Sequence, residues 1–118
     1  MKRILLVEDD RNTGVLLEHI LHSAGFAVDL VATVADAEQR LADTPYALVI
    51  ADWRLSDGDG IALADQAAAR GIKTAILTGY AFQVPAKVVA RHELWLKPMR
   101  PAEIIAAVER CIGGSTVS

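Results

Sequence analysis

Short apolar runs alternate with amphipathic stretches along the whole chain. Ile4 to Val7, Ala47 to Ala51 and Thr74 to Leu77 carry apolar residues at both odd and even positions, the pattern of strands covered on both faces. A weaker run, Ala27 to Ala32, and a late one, Leu94 to Leu96, bring the predicted strands to five. Between the first two, Leu17, Ile20, Leu21 and Ala24 recur at helical spacing, and Gly25 suits the turn that ends the helix. Thr33 is placed to cap a second helix carrying Val34, Ala37 and Leu41, with Pro45 closing the loop behind it. Asp59 is placed to cap a third, Ile61 to Arg70, which stops at Gly71. Pro101 suits the first position of a last helix, Ala102 to Cys111, ahead of a Gly-Gly-Ser tail. Pro85 predicts a short or distorted helix before the last strand, because proline fits a first turn and not a helix interior. Strand and helix alternate five times with right-handed crossovers, and no repeat, linker or second domain interrupts them.

Composition narrows this α/β reading without changing it. The chain has 118 residues, 53% of them hydrophobic, which is ample for one buried core. A net charge of -3, a pI near 5.5 and scattered Lys and Arg provide no basic field for nucleic acid. Cys111 is the single cysteine, so no internal disulfide forms. With no signal peptide and no apolar stretch long enough to span a bilayer, the expected location is a reducing cytoplasm, and no membrane partner is expected.

Polar groups cluster where the strands end. Glu8, Asp9 and Asp10 follow the first strand directly, Asp52 the third, Thr78 the fourth and Lys97 the fifth. Each has an ordinary explanation: acids favour helix N-termini, Asp52 and Thr78 could sit in turns, and Lys97 could be solvated. Together they need a shared site, because ligands of an open parallel sheet bind beyond the carboxyl ends of its strands. Three consecutive acids would repel one another unless something positive lay between them. A magnesium ion prefers oxygen ligands and is commonly held by one or two carboxylates plus phosphate oxygens. A further carboxylate can attack phosphorus while the metal, a lysine and a hydroxyl take up charge on the phosphoryl oxygens.

The strings "LLVEDD", "LVIADWRLSDGDG", "AILTGYA" and "LWLKP" occur in that order, and in this the chain resembles the receiver domain of bacterial two-component response regulators. The likeness covers about residues 2 to 112. It implies a doubly wound, flavodoxin-like (βα)5 fold with strand order 2-1-3-4-5, a receiver domain over 1–112 and a flexible tail over 113–118. It also implies that Asp52 takes a phosphoryl group from a histidine kinase or histidine phosphotransfer protein. Glu8, Asp9, Asp52 and the backbone carbonyl of Arg54 would hold Mg2+, Lys97 would pair with the phosphoryl oxygens, and Thr78 would hydrogen-bond the phosphorylated form. The Lys97-Pro98 bond is cis in the family. Asp10 has no ligand role in the pattern and is expected to cap the first helix. Such a protein is a signalling domain that self-phosphorylates and slowly dephosphorylates, not a turnover enzyme. Its output goes to a downstream protein or a second copy of itself, with no direct nucleic-acid contact. In the family, the positions of Arg54 and Tyr80 flank the water path to the phosphoryl group, so a long cation and a bulky phenol imply slow self-dephosphorylation.

Other readings fit less well. A flavin binder should carry a Ser, Thr and Gly-rich phosphate loop after the first strand, where only Thr13-Gly14 hints at one. No G-x-G-x-x-G follows that strand, D-x-D-x-T is absent, and "DGDG" places Leu55 and Gln66 where a calcium loop needs acids. His19 and His22 read as an exposed helical pair, and Trp53 as a packing residue. The alternative kept is an interaction module of receiver fold that works without phosphorylation, whose mark would be loss of the acid pair, the acceptor or the lysine. The chain departs from the family at Leu94, where an aromatic usually couples to the hydroxyl residue. Trp95 cannot replace it, because adjacent strand residues face opposite ways. Met99 and Ser56 also stand where an aromatic and a proline are common, and the nineteen positions from Thr78 to Lys97 are fewer than usual.

Overall fold

The apolar runs become the buried strands of one sheet. The computed structural model describes residues 2–79 and 83–113. Along the chain come β1 (Arg3–Val7), α1 (Arg11–Ser23), β2 (Ala27–Val31), α2 (Val34–Asp43), β3 (Leu48–Asp52), β4 (Arg54–Leu55) and β5 (Gly58–Asp59). There follow α3 (Gly60–Ala69), β6 (Lys73–Thr78), α4 (Ala86–Arg91), β7 (Glu93–Leu96) and α5 (Pro101–Ile112). Five strands pair in parallel in the order β2-β1-β3-β6-β7, which is the expected 2-1-3-4-5 once the small antiparallel pair β4-β5 is set aside.

The two apolar parities are explained by the two helical layers. Ile4 and Leu6 of β1, with Leu48 and Ile50 of β3, pack with Leu17 and Leu21 of α1 and Ile104 and Val108 of α5. Leu5 and Val7, with Val49 and Ala51, face Ala37 and Leu41 of α2 and Leu63 and Ala67 of α3. Full burial of each larger side chain contributes roughly 1.5–3 kcal/mol. Trp95 joins the α1–α5 layer, so its strand neighbour Leu94 points the other way, as the alternation requires.

Helix ends follow their capping residues. Thr33 accepts from the Asp36 amide, Asp59 from the Ile61 amide, and Pro101 opens α5. The turns after α1 and α3 use Gly25 and Gly71 at φ 96° and 80°, where a side chain would be strained. Helix α4 is short, with Pro85 at its N-cap. Its far end is fixed to α3: Arg91 donates to both carboxylate oxygens of Asp65 at 3.1 and 3.2 Å. The wholly buried side chain of His92 reaches Asp65 at 2.6 Å through Nε2, while Nδ1 meets the Thr74 hydroxyl. No helix among the described residues is long and apolar enough to cross a membrane. The expected tail lies outside the described residues from position 114 onward.

Candidate functional site

Parallel register brings the strand ends onto one rim. Val7 stands beside Ala51, Asp52 beside Leu77, and Thr78 beside Leu96. The residues that follow must therefore converge: Glu8 and Asp9 after β1, Asp52 closing β3, Thr78 closing β6, and Lys97 after β7. Backbone bonds hold neighbouring strand ends together at the rim, from the Trp53 amide to the Leu77 carbonyl and from the Lys97 amide to the Thr78 carbonyl, each 2.9 Å. The Lys97-Pro98 bond is cis.

Carboxylate oxygens of Glu8, Asp9 and Asp52 all lie within 4.8 Å of one another. The Lys97 ammonium donates to Glu8 Oε1 at 2.8 Å and stands 3.0 Å from Asp52 Oδ1. Burial of Glu8 pushes its carboxyl above the usual range, and its hydrogen bond to Asp52 adds to that. For Lys97, burial pulls the ammonium down, but the bonds to Glu8 and Asp52 outweigh it and leave it raised. Three carboxylates against one ammonium leave two negative charges uncompensated when all are ionised. Hard oxygen donors with that surplus fit a divalent cation such as Mg2+, which answers the repulsion among the opening acids.

Asp52, Trp53, Arg54, Thr78, Gly79 and Lys97 line a cleft of about 380 Å³. A larger groove of about 610 Å³ lies at the opposite end of the sheet, along Thr74, His92 and Leu94, away from the acid cluster. Arg54 stacks its guanidinium 4.6 Å from the Trp53 ring centroid and donates to Gln83 Oε1 at 3.3 Å. Trp53 is half-buried and belongs to neither core layer, so it packs against Arg54 at the cleft instead of within the core. Tyr80 lies outside the described residues.

Asp10 is the N-cap residue of α1, and its carboxylate accepts from the Thr13 hydroxyl, which holds it below the usual carboxylate range. It takes no part in the acid cluster. Thr13 and Gly14 fall inside α1 and form no phosphate loop, and His19 and His22 are exposed on the same helix.

Sequence reasoning missed three features. A Cβ on Gly60 would stand 1.9 Å from the Asp52 carbonyl oxygen, so only glycine allows α3 to start this close to β3. The Asp57 carboxylate accepts from the Val34 and Ala35 amides, tying the loop after β3 to the start of α2. Lys97 reaches Glu8 as well as Asp52. Only the first left a signal, the Asp59-Gly60 pair; the others join residues far apart in the chain.

A family model described as the response regulator receiver domain matches residues 4–109. The chain is 37% identical over 83 residues to the response regulator receiver protein CpdR of Brucella abortus, covering 69% of each. It is 43% identical over 77 residues to the swarming motility regulation protein RssB of Serratia marcescens, covering 64% of this chain and 35% of that one. The chain thus spans about a third of the length of RssB. Among solved structures it is similar to the receiver domain of the sensor histidine kinase PA1611 from Pseudomonas aeruginosa PAO1. The TM-score is 0.84 at 28% identity, over 96% of this chain and 98% of that one, and that structure has a magnesium ion coordinated in its active site cleft.

Proposed function

The chain belongs to the response regulator receiver domains, the signalling modules of two-component systems, and from that premise we propose that Asp52 is its phosphoacceptor. The observation that carries this is the cluster itself: three acid side chains from two neighbouring strand ends, with Lys97 3.0 Å from the Asp52 carboxylate. Glu8, Asp9, Asp52 and the Arg54 carbonyl would hold Mg2+, which when bound offsets negative charge on the phosphoryl oxygens.

The residues of the chain do the rest. An Asp52 carboxylate oxygen attacks phosphorus; the new O–P bond forms as the P–N bond to a donor imidazole breaks, and the imidazole leaves with the bonding pair. Lys97 stays beside the acceptor, balancing charge before and after transfer. Thr78, buried at the end of β6 and lining the cleft, offers its hydroxyl to the phosphoryl group. The functional unit is residues 1–112, and the donor is a histidine kinase or histidine phosphotransfer protein. A change of shape then controls a downstream protein or a second copy.

Intact-mass measurement after incubation with acetyl phosphate and magnesium tests the reading. Wild type should gain one acid-labile phosphoryl group and Asp52→Asn none. Equal gain by both proteins would remove Asp52 from its role.

A further inference from the structure

The loop that follows Asp52 is anchored at its base by backbone bonds. The Trp53 amide donates to Leu77 at 2.9 Å, and the Gly60 amide donates to the Trp53 carbonyl at 2.8 Å. Beyond that base, Arg54 pairs with Asp59 and Leu55 with Gly58, leaving Ser56 and Asp57 as the tip. Leu55 buries its side chain in the α2–α3 layer and pins one arm. The other arm is tied to α3 by the bond from the Ile61 amide to the Asp59 carboxylate, so both arms are fixed and the tip is what the ladder leaves unsecured.

Asp57 ties that tip to the start of α2. Its Oδ1 accepts from the Val34 amide at 2.8 Å and its Oδ2 from the Ala35 amide at 3.2 Å. Those are the first two amides of α2, and the third, at Asp36, goes to Thr33. The two caps thus divide the free amides of one helix end between a residue of the helix's own lead-in and a residue of the acceptor loop. The tip also lies close to α2, because a Cβ on Gly58 would come 3.1 Å from Val34 Cγ2. The Val34 amide, with smaller help from that of Ala35, holds the Asp57 carboxyl below the usual range. Its charge is engaged at α2, away from the acid cluster on the rim.

We propose that Asp57 is a positioning residue for the metal site: by fastening the loop tip to the start of α2, it sets the direction of the Arg54 carbonyl without touching the ion. This rests on the reading of Glu8, Asp9, Asp52 and Arg54 as magnesium ligands. Groups that orient metal ligands commonly matter by about tenfold or more in affinity.

Thr33 provides the control, since Thr33→Ala weakens the same helix end without touching the loop. Magnesium chloride is titrated into the wild-type chain, Asp57→Ala, Asp57→Asn and Thr33→Ala, followed by tryptophan fluorescence, and Tm is measured without metal. The expected result is a dissociation constant about tenfold higher for Asp57→Ala. Asp57→Asn, which retains one acceptor oxygen, should fall between Asp57→Ala and wild type. Thr33→Ala should lose Tm like Asp57→Ala yet bind magnesium as wild type does. Wild-type affinity in both Asp57 variants overturns the positioning role alone, and so does an equal loss of affinity in Thr33→Ala. Failure of wild type itself to bind magnesium overturns the underlying reading of the site. Should Asp57→Ala not fold, the comparison of Asp57→Asn with Thr33→Ala decides the matter.

Discussion

Gly60→Ala should damage the site around Asp52 through backbone contact alone. At an ordinary helix position this change is stabilising by up to about 1 kcal/mol, because alanine is the better helix former. Here the new methyl would stand 1.9 Å from the Asp52 carbonyl oxygen and 2.9 Å from its carbon. Ordinary contact begins at 3.4 Å, so the first turn of α3 or the end of β3 must move by about 1.5 Å. Neither moves freely: β3 is paired on both sides, and the Gly60 amide is bonded to the Trp53 carbonyl at 2.8 Å. Overpacking of this kind costs about 1–3 kcal/mol, and losing that hydrogen bond about 1 more. The helix gain does not offset this, and Tm should fall by roughly 5–10 °C. The chemistry should suffer more, since a misplacement of about 1 Å at a reacting group can cost about a hundredfold in rate. The assay is the rate of phosphoryl gain from acetyl phosphate by intact mass, beside thermal unfolding, each compared with wild type. Wild-type phosphorylation and Tm in Gly60→Ala would refute the claim that the close approach positions Asp52.

Four further outcomes are expected. Asp9→Ala should weaken magnesium binding far more than Asp10→Ala, because Asp10 is engaged with Thr13 and lies outside the cluster; comparable losses in a titration would reject that division. His92→Ala should destabilise the fold by about 2–4 kcal/mol in denaturant titration, by cavity formation and loss of its bonds to Thr74 and Asp65, while leaving magnesium affinity unchanged. Burial, with the bond to Asp29, pushes the Tyr46 phenol up to about 12 from 10.0. The folded state therefore favours the neutral phenol, and this contribution is intact below about pH 10 and lost as pH rises toward 12, by about 2–3 kcal/mol in total; Tyr46→Phe should flatten that part of the stability profile relative to wild type. Arg54→Ala should speed decay of the phosphorylated protein after the donor is removed, with magnesium affinity little changed, because the guanidinium lines the cleft by which water enters; an unchanged or slower decay rejects the shielding role.

What could be read in advance was set by local chemistry. Apolar residues on both parities of Ile4–Val7 and Leu48–Ala51 mean a strand covered on both faces, and the two core layers show why. Thr33, Asp59 and Pro101 act within a few residues of their own position, so their helices start within one residue of where expected. Strand ends were less legible. β3 and β6 run one residue past their apolar cores to include Asp52 and Thr78, because ladder pairing with a neighbouring strand sets the end, not hydrophobicity. β4 and β5 have two residues each, too few for any period to appear. The bond from Asp57 to Val34 and the pair of Lys97 with Glu8 span 23 and 89 positions, and only the folded register brings them together. The grouping of Glu8, Asp9, Asp52, Thr78 and Lys97 could be foreseen because all five lie at strand ends of one parallel sheet.

The departure from the family at Leu94, with the short segment before it, limits how phosphorylation could be transmitted. Trp95 is buried among the α1–α5 side chains, and its indole N–H is held by Glu93 at 3.1 Å. Reaching the Leu94 face would require its ring to pass through the sheet, so Trp95 cannot serve as the moving aromatic. Leu94 has no polar atom with which to follow the Thr78 hydroxyl. Helix α4 is also restrained, because Arg91 and His92 fasten its far end to Asp65. Its near end begins at Pro85, two residues after Gln83, and Gln83 accepts from Arg54 at the edge of the cleft. A phosphoryl group on Asp52 would carry about one and a half to two negative charges in place of the carboxylate's one. Arg54, lining the same cleft, would then be drawn between Gln83 and the phosphoryl oxygens, since a charge-assisted bond outweighs one to a neutral amide. A phosphoryl charge at Asp52 would thus reach the start of α4 through the Arg54 guanidinium and Gln83.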